Sequence, residues 1–178
     1  MKKKNKAAKS FLKATLFVFF VLVLALFLTN YVFSRTVVDG ISMEPTLYGG
    51  DSIVIDKLSY NIGKPKRYDV ICFKSYSKKD VLIKRIIGMP NETVKIENGI
   101  IYINDKELRD INGLEKVEYE GSAKSGITLG NDEYFVIGDN RAESIDSRFS
   151  EVGNVSIDDI IGRATFVMFP ANRMGNIK

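Results

Sequence analysis

The 178-residue chain has no histidine and a single cysteine, Cys72. Without histidine there can be no Ser-His-Asp triad, no Cys-His nucleophile pair and no HExxH zinc helix. One cysteine cannot close an internal disulfide, and within the apolar run DVICFK it reads as a small core residue. Acidic residues are missing from the first 38 positions, which carry six lysines and Arg35, a charge of +7. The remainder holds 19 basic against 22 acidic residues, a net of −3. The pI near 9.0 therefore comes from the N-terminal tail and does not mark a nucleic-acid surface. Neither the carboxylates nor the lone cysteine show metal-ligand spacing, so no metal and no cofactor is expected.

What is present begins with residues 14–33, ATLFVFFVLVLALFLTNYVF, twenty positions without a charge. About 20 apolar residues suffice to cross a bilayer core. The lysines precede this run and none interrupts it, which predicts a cytoplasmic N-terminus with everything after Arg35 on the far side. Asn30 and Tyr31 suit the outer interface. A cleaved signal peptide is the rival reading, but the run is long for one and no small-x-small site follows before Arg35. A buried core helix fits worse, because the run is apolar on every side. The expected organisation is a basic tail (1–13), a transmembrane signal-anchor (14–33) and an extracytoplasmic domain (34–178) large enough for one compact core.

Beyond the anchor the pattern is strand-like. Residues 51–57, 68–74, 81–89, 93–97, 100–104, 133–139 and 160–169 are short runs rich in Val, Ile and aromatics, separated by turn residues. Asn98-Gly99 supplies the positive-φ pair of a type I′ turn, so 93–97 and 100–104 should form a hairpin. The fold class expected is mostly β: one N-terminal transmembrane helix followed by an antiparallel, barrel-like β domain. Residues 105–132 are charged, glycine-bearing and less periodic, and a small β insertion is expected over about 91–132.

Three segments could carry chemistry. In GISMEPTL (40–47), Gly40 permits an unusual backbone or a close approach, and Pro45 pushes Glu44 out of the α region. Ser42 is thus set on a stiff bend, either as a nucleophile or as an ordinary turn serine. In VLIKRIIGMPNET (81–93), strand alternation puts Leu82, Lys84 and Ile86 on one face and Arg85 on the other. Aliphatic neighbours would lower the Lys84 pKa towards that of a general base, unless the side chain snorkels to water. In GDNRAESIDSRFSEVG (138–153), an extended 144–148 would align Ser144, Asp146 and Arg148. An Asp146–Arg148 pair could brace the loop, and the Ser144 hydroxyl could hold a neutral lysine amine. An ordinary solvated loop is the alternative.

Together, SMEPTL (42–47), GGDSIVIDK (49–57), KRIIGMPNETV (84–94) and GDNRAESIDSR (138–148) resemble type I signal peptidases, the membrane-bound Ser/Lys endopeptidases that remove signal peptides from exported proteins. GRATFVMFPANRMG (162–175) is similar to the family's closing segment, and the chain resembles the short Gram-positive form. The resemblance implies Ser42 as nucleophile, Lys84 as general base, Ser144 orienting the lysine, and Asp146 with Arg148 as a brace. It places Met43 beside the substrate cleft, and Val38, Leu47, Leu82 and Ile83 where members line shallow pockets for small side chains. It implies an acyl-enzyme, cleavage after small-x-small sites, and as partners the signal peptides of exported preproteins, membrane lipid and a nearby secretion translocon. Three positions depart from the pattern. Gly40 replaces a hydroxyl residue that contributes to the oxyanion hole in some members, and Tyr68 and Asn91 stand where glycine is common.

Three other classes fit the sequence less well. A self-cleaving repressor-type Ser/Lys protease would need a DNA-binding head, which the sequence lacks. A non-catalytic tethered β-domain would ordinarily have lost the serine or the lysine. Sortase chemistry would need a Cys-His pair.

Overall fold

The computed structural model describes residues 2–27, 32–75, 80–109 and 116–177. An N-terminal helix, α1 (Lys2–Phe27), takes in the lysine tail as well as the apolar run. Its stretch Lys9–Leu26 is long and apolar enough to cross a membrane, with a mean hydropathy of 2.1 and none of it buried. The expected interface residues Asn30 and Tyr31 lie outside the described residues. The anchor boundary at residue 33 needs correcting. Val32 is buried in the domain and Phe33 opens the first strand, so the apolar run serves two elements in succession.

Among the described residues, twelve strands form two antiparallel sheets. They are β1 (Phe33–Val37), β2 (Ser52–Asp56), β3 (Val70–Lys74), β4 (Val81–Gly88), β5 (Thr93–Glu97), β6 (Ile100–Ile103), β7 (Lys106–Glu107), β8 (Ile127–Thr128), β9 (Glu133–Ile137), β10 (Val155–Ser156), β11 (Ile160–Phe169) and β12 (Gly175–Asn176). The larger sheet runs β1-β2-β11-β3-β4-β9-β10, with β12 on β11. The smaller, β7-β6-β5-β8, is inserted between β4 and β9 in the chain.

The small sheet is built from tight turns. Asn98 and Gly99 both have positive φ (52° and 80°), joining β5 to β6 with Glu97 opposite Ile100. A second two-residue turn, Asn104-Asp105, repeats the device (φ 49° and 63°) and ends β6 at Ile103. The sheet packs onto the larger one through Val94, Ile96, Ile101 and Ile103, which share a core with Ile87, Phe135 and Ile137. Gly88 lets them close: a Cβ there would lie 2.5 Å from Val94 Cγ2.

Two further cores lie against the large sheet. One holds Val38, Met43, Leu47, Ile53, Ile55, Val70 and Cys72; the other holds Ile71, Phe73, Ile86, Tyr134 and Val136. Strands β3 and β4 are therefore covered on both faces, and β4 is buried continuously from Lys84 to Gly88. Both Lys84 and Arg85 are interior, which removes the snorkelling alternative for the lysine.

Candidate active site

Ser42 sits in a compact turn after β1, held by Glu44 N–H donating to Ile41 O (3.1 Å) and Leu47 N–H to Met43 O (2.8 Å). Gly40 has φ +83° and its missing side chain faces open space, so its role there is conformational. The Glu44–Pro45 peptide is cis. Lys84, only 3% exposed, comes from the middle of β4, and its Nζ donates to Ser42 Oγ at 2.6 Å.

The loop after β9 closes the site from a third direction. Asn140 N–H donates to Ser42 O (3.1 Å), and Asn140 Nδ2 donates to Ile41 O (3.2 Å). Gly138 lies at the point of contact: a Cβ there would stand 2.2 Å from Ser144 Oγ and 2.4 Å from Ser42 O. Ser144 is therefore brought beside the nucleophile turn. Its Oγ is buried and makes no hydrogen bond among the described residues.

Segment 144–148 is turn rather than strand, so the straight i, i+2, i+4 alignment gives way to a bend in which Ser147 is buried as well. Ser147 Oγ accepts from Val136 N–H and its own N–H returns to Val136 O, stitching the bend to β9. Asp146 and Arg148 form a buried two-point ion pair, Nε to Oδ1 and Nη2 to Oδ2 both at 2.8 Å. Asp146 Oδ2 also accepts from Gly138 N–H (3.0 Å), so the pair fixes the glycine on which Ser144 and Ser42 converge.

A cleft of about 80 Å³ opens in front of the hydroxyl, lined by Thr36, Val37, Val38, Asp39, Ser42, Met43 and residues 81–84 of β4. Val38, Met43, Leu82 and Ile83 are thus on its wall. Leu47 is not. It is fully buried in the core with Ile53 and Ile55, under the turn rather than facing the cleft, because the Ser42 turn needs an apolar anchor on its inner side. Gly40 also falls outside the lining.

Sequence reasoning missed the group that ties the three segments together. Arg85 Nε and Nη2 bind the two oxygens of Asp139 at 2.7 and 2.6 Å, entirely buried. Thr46 Oγ1, four residues past the nucleophile, donates to Asp139 Oδ2 (2.5 Å). Arg85 Nη1 donates to Tyr68 O (2.8 Å). The available signal was that KR and GDN each pair a charge with a named site segment. On the opposite side Arg173 binds Asp51 (Nη2 to Oδ2, 2.9 Å), stacks on Tyr48 and reaches Thr46 O. Tyr68 and Asn91, the two positions where glycine is common, both have positive φ, 72° and 65°, a region that glycine adopts without strain and asparagine tolerates better than tyrosine. Among the described residues no cluster of His, Cys, Asp or Glu could hold a metal ion.

Residues 11–169 match the family described as "Signal peptidase, peptidase S26". The relative named "Signal peptidase I T" of Bacillus subtilis (strain 168) is 37% identical over 164 residues, spanning 87% of this chain and 83% of its own. "Signal peptidase I" of Bacillus caldolyticus is 36% identical over 151 residues, spanning 79% of this chain and 81% of the relative. A crystal structure of a signal peptidase I from Enterococcus faecalis V583 matches with a TM-score of 0.47 and 32% identity, covering 56% of this chain and 96% of that one. The chain is a hydrolase of the serine peptidase class. Within that class it belongs to the S26 signal peptidases, whose reaction is the cleavage of signal peptides, and its apolar N-terminal helix makes it membrane-associated.

Proposed function

We propose that this chain is an anchored endopeptidase in which Ser42 attacks the scissile carbonyl of a signal peptide and Lys84 is its general base. The 2.6 Å approach of Lys84 Nζ to Ser42 Oγ carries this reading. Burial disfavours the ammonium form of Lys84. Once the amine is neutral the hydrogen bond reverses, and Ser42 O–H donates to the nitrogen lone pair. Attack transfers that proton to Lys84 and forms a tetrahedral intermediate. Lys84 then protonates the leaving amine, which departs as the mature N-terminus and leaves the signal peptide as an acyl-enzyme on Ser42. Water deprotonated by Lys84 hydrolyses that ester, releasing the signal peptide's carboxylate and returning the proton to Ser42 Oγ. The Ser42 N–H, which no carbonyl engages among the described residues, is the first oxyanion donor. With Gly40 in place of a hydroxyl residue, the second donor is backbone or water. The Ser144 hydroxyl, buried beside the turn and without a hydrogen-bond partner among the described residues, is available to orient the neutral amine, while Asp146 and Arg148 hold the loop that presents it.

Substrate is taken as an added strand. Among the described residues β1 pairs only with β2 and β9 meets β4 only from Arg85 onward, so residues 81–84 and β1 offer edges without a described strand partner on either side of the cleft. An extended peptide between them presents alternate side chains to the wall. Val38, Met43, Leu82 and Ile83 leave a volume that suits small residues, which gives small-x-small selectivity. The lysine-rich leader places the N-terminus in the cytoplasm and the domain outside, where exported preproteins emerge beside the translocon.

The test is the pH dependence of kcat/KM on a preprotein with an Ala-x-Ala site, with the new N-terminus sequenced. Activity should rise with pH and level off once the amine is neutral. A Lys84→Arg enzyme that cleaves at near-normal rate would sink the assignment, because a guanidinium cannot accept the proton.

A further inference from the structure

The segment Lys57–Lys66, KLSYNIGKPK, is placed beside the end of the anchor. Lys57 N–H donates to Val32 O (2.8 Å), and Asp56 pairs with Phe33. Phe27, the last residue of α1, is five residue steps from Val32, a span of at most about 17 Å. The segment is firmly built. The Asp56 carboxylate accepts from the N–H groups of Leu58 and Ser59 and from the Ser59 hydroxyl. Tyr60 points inward and donates to Asp69 (3.0 Å), and Pro65 is buried. On this rigid turn Leu58 and Ile62 stand outward at i, i+4, and Ile62 is 81% exposed. No acidic residue interrupts 57–66, and none of Lys57, Lys64 and Lys66 forms an ion pair among the described residues.

An ordered turn that holds isoleucine out to solvent between unpaired lysines, within a few residues of a membrane helix, has the chemistry of an interfacial contact. We propose that residues 57–66 rest on the outer leaflet, with Leu58 and Ile62 entering the headgroup–acyl boundary and Lys57, Lys64 and Lys66 binding anionic phospholipid headgroups. The proposal rests on the membrane-anchored reading above. The contact fixes the height and tilt of the domain, because the β2 and β11 partners of this corner lead directly to the Ser42 turn. A zwitterionic bilayer offers the lysines no net negative surface potential, so seating depends on anionic lipid and is screened by salt.

The experiment uses the full chain reconstituted in vesicles of phosphatidylcholine, with or without phosphatidylglycerol. An environment-sensitive fluorophore is attached to Ile62→Cys, with Val21→Cys and Glu107→Cys as references; Cys72 is fully buried and stays unlabelled in the folded protein. The position-62 probe should shift to the blue relative to the Glu107 probe in vesicles with phosphatidylglycerol. High salt, or the combined Lys57→Gln, Lys64→Gln, Lys66→Gln variant, should abolish the shift. A water-like probe at 62 with a lipid-like probe at 21 would overturn the contact while leaving the anchor intact; water-like probes at both would overturn the anchored reading with it. A shift equal in the two lipids and unchanged in the triple variant would overturn the role of the lysines. Protection of position 62 only on adding a translocon protein would overturn the lipid as partner.

Discussion

The small sheet and the site end of the large sheet are held together in opposite ways. β5–β8 rely on aliphatic side chains and two-residue turns, and their charged pair Lys95–Glu97 lies at the surface. The site end buries Arg85, Asp139, Asp146 and Arg148, joined across 54 residues in one case and two in the other. Apolar burial contributes stability roughly in proportion to area. Buried ion pairs contribute little net stability over apolar packing but are costly to break singly. The contrast assigns the two regions different work: the small sheet supplies a stable flank to β4 and β9, and the charged end supplies a fixed geometry.

The sharpest separation comes from the reacting groups. Ser42→Ala and Lys84→Ala should each lower kcat/KM by on the order of 10⁴ or more without lowering Tm. Next comes the Arg85–Asp139 pair. Asp139→Asn strands a buried guanidinium and should cost about 3–5 kcal/mol, read as a fall in Tm together with kcat. An Arg85→Met, Asp139→Leu double variant should regain Tm but not kcat. Full activity in that variant would break the comparison, since it would make the pair merely structural. In the small sheet, Gly99→Ala forces an L-residue to φ +80° and brings its Cβ to 3.1 Å from that of Lys116. It should cost about 1–2 kcal/mol with kcat/KM unmoved. The smallest effect is alkaline. Burial pushes the Cys72 thiol up to about 12 from 9.0. The unfolded chain then loses this proton first, so stability present below pH 9 declines above it, by about 1 kcal/mol at pH 10. Cys72→Ala should remove this component from a plot of Tm against pH; an unchanged slope would place the loss elsewhere, for example at Tyr60, whose pKa burial also raises.

The same contrast decides what could be read from the sequence. Where a rule spans neighbours in the chain, the reading holds: Thr93–Glu97 and Ile160–Phe169 have the expected bounds, and Asn98-Gly99 makes its turn. Asn104-Asp105 obeys the same rule and was overlooked because Asn104 looked like the end of a strand. β1 was hidden because Val32 and Phe33 extend the anchor's apolar run without a break. The two-residue strands β7, β8, β10 and β12 carry no pattern of their own; they exist because a neighbouring strand has an edge to pair. Ser42, Lys84, Ser144, Asp146 and Arg148 could be named through a resemblance, but their mutual distances depend on contacts 42 or more residues apart or on a bend that alternation does not foresee. Leu47 was misplaced because an apolar residue beside a nucleophile can face the cleft or the core, and only tertiary packing chooses.

Gly138 shows where such a molecule is vulnerable. Nothing reacts there, and its backbone is not in the left-handed region. Yet one added carbon would meet the serine carbonyl and a second hydroxyl inside van der Waals contact. A methyl at that point would push apart side chains that remain individually intact. Inactivating changes in this chain therefore need not fall on any group that exchanges a proton; the narrowest tolerance belongs to a residue whose contribution is empty space.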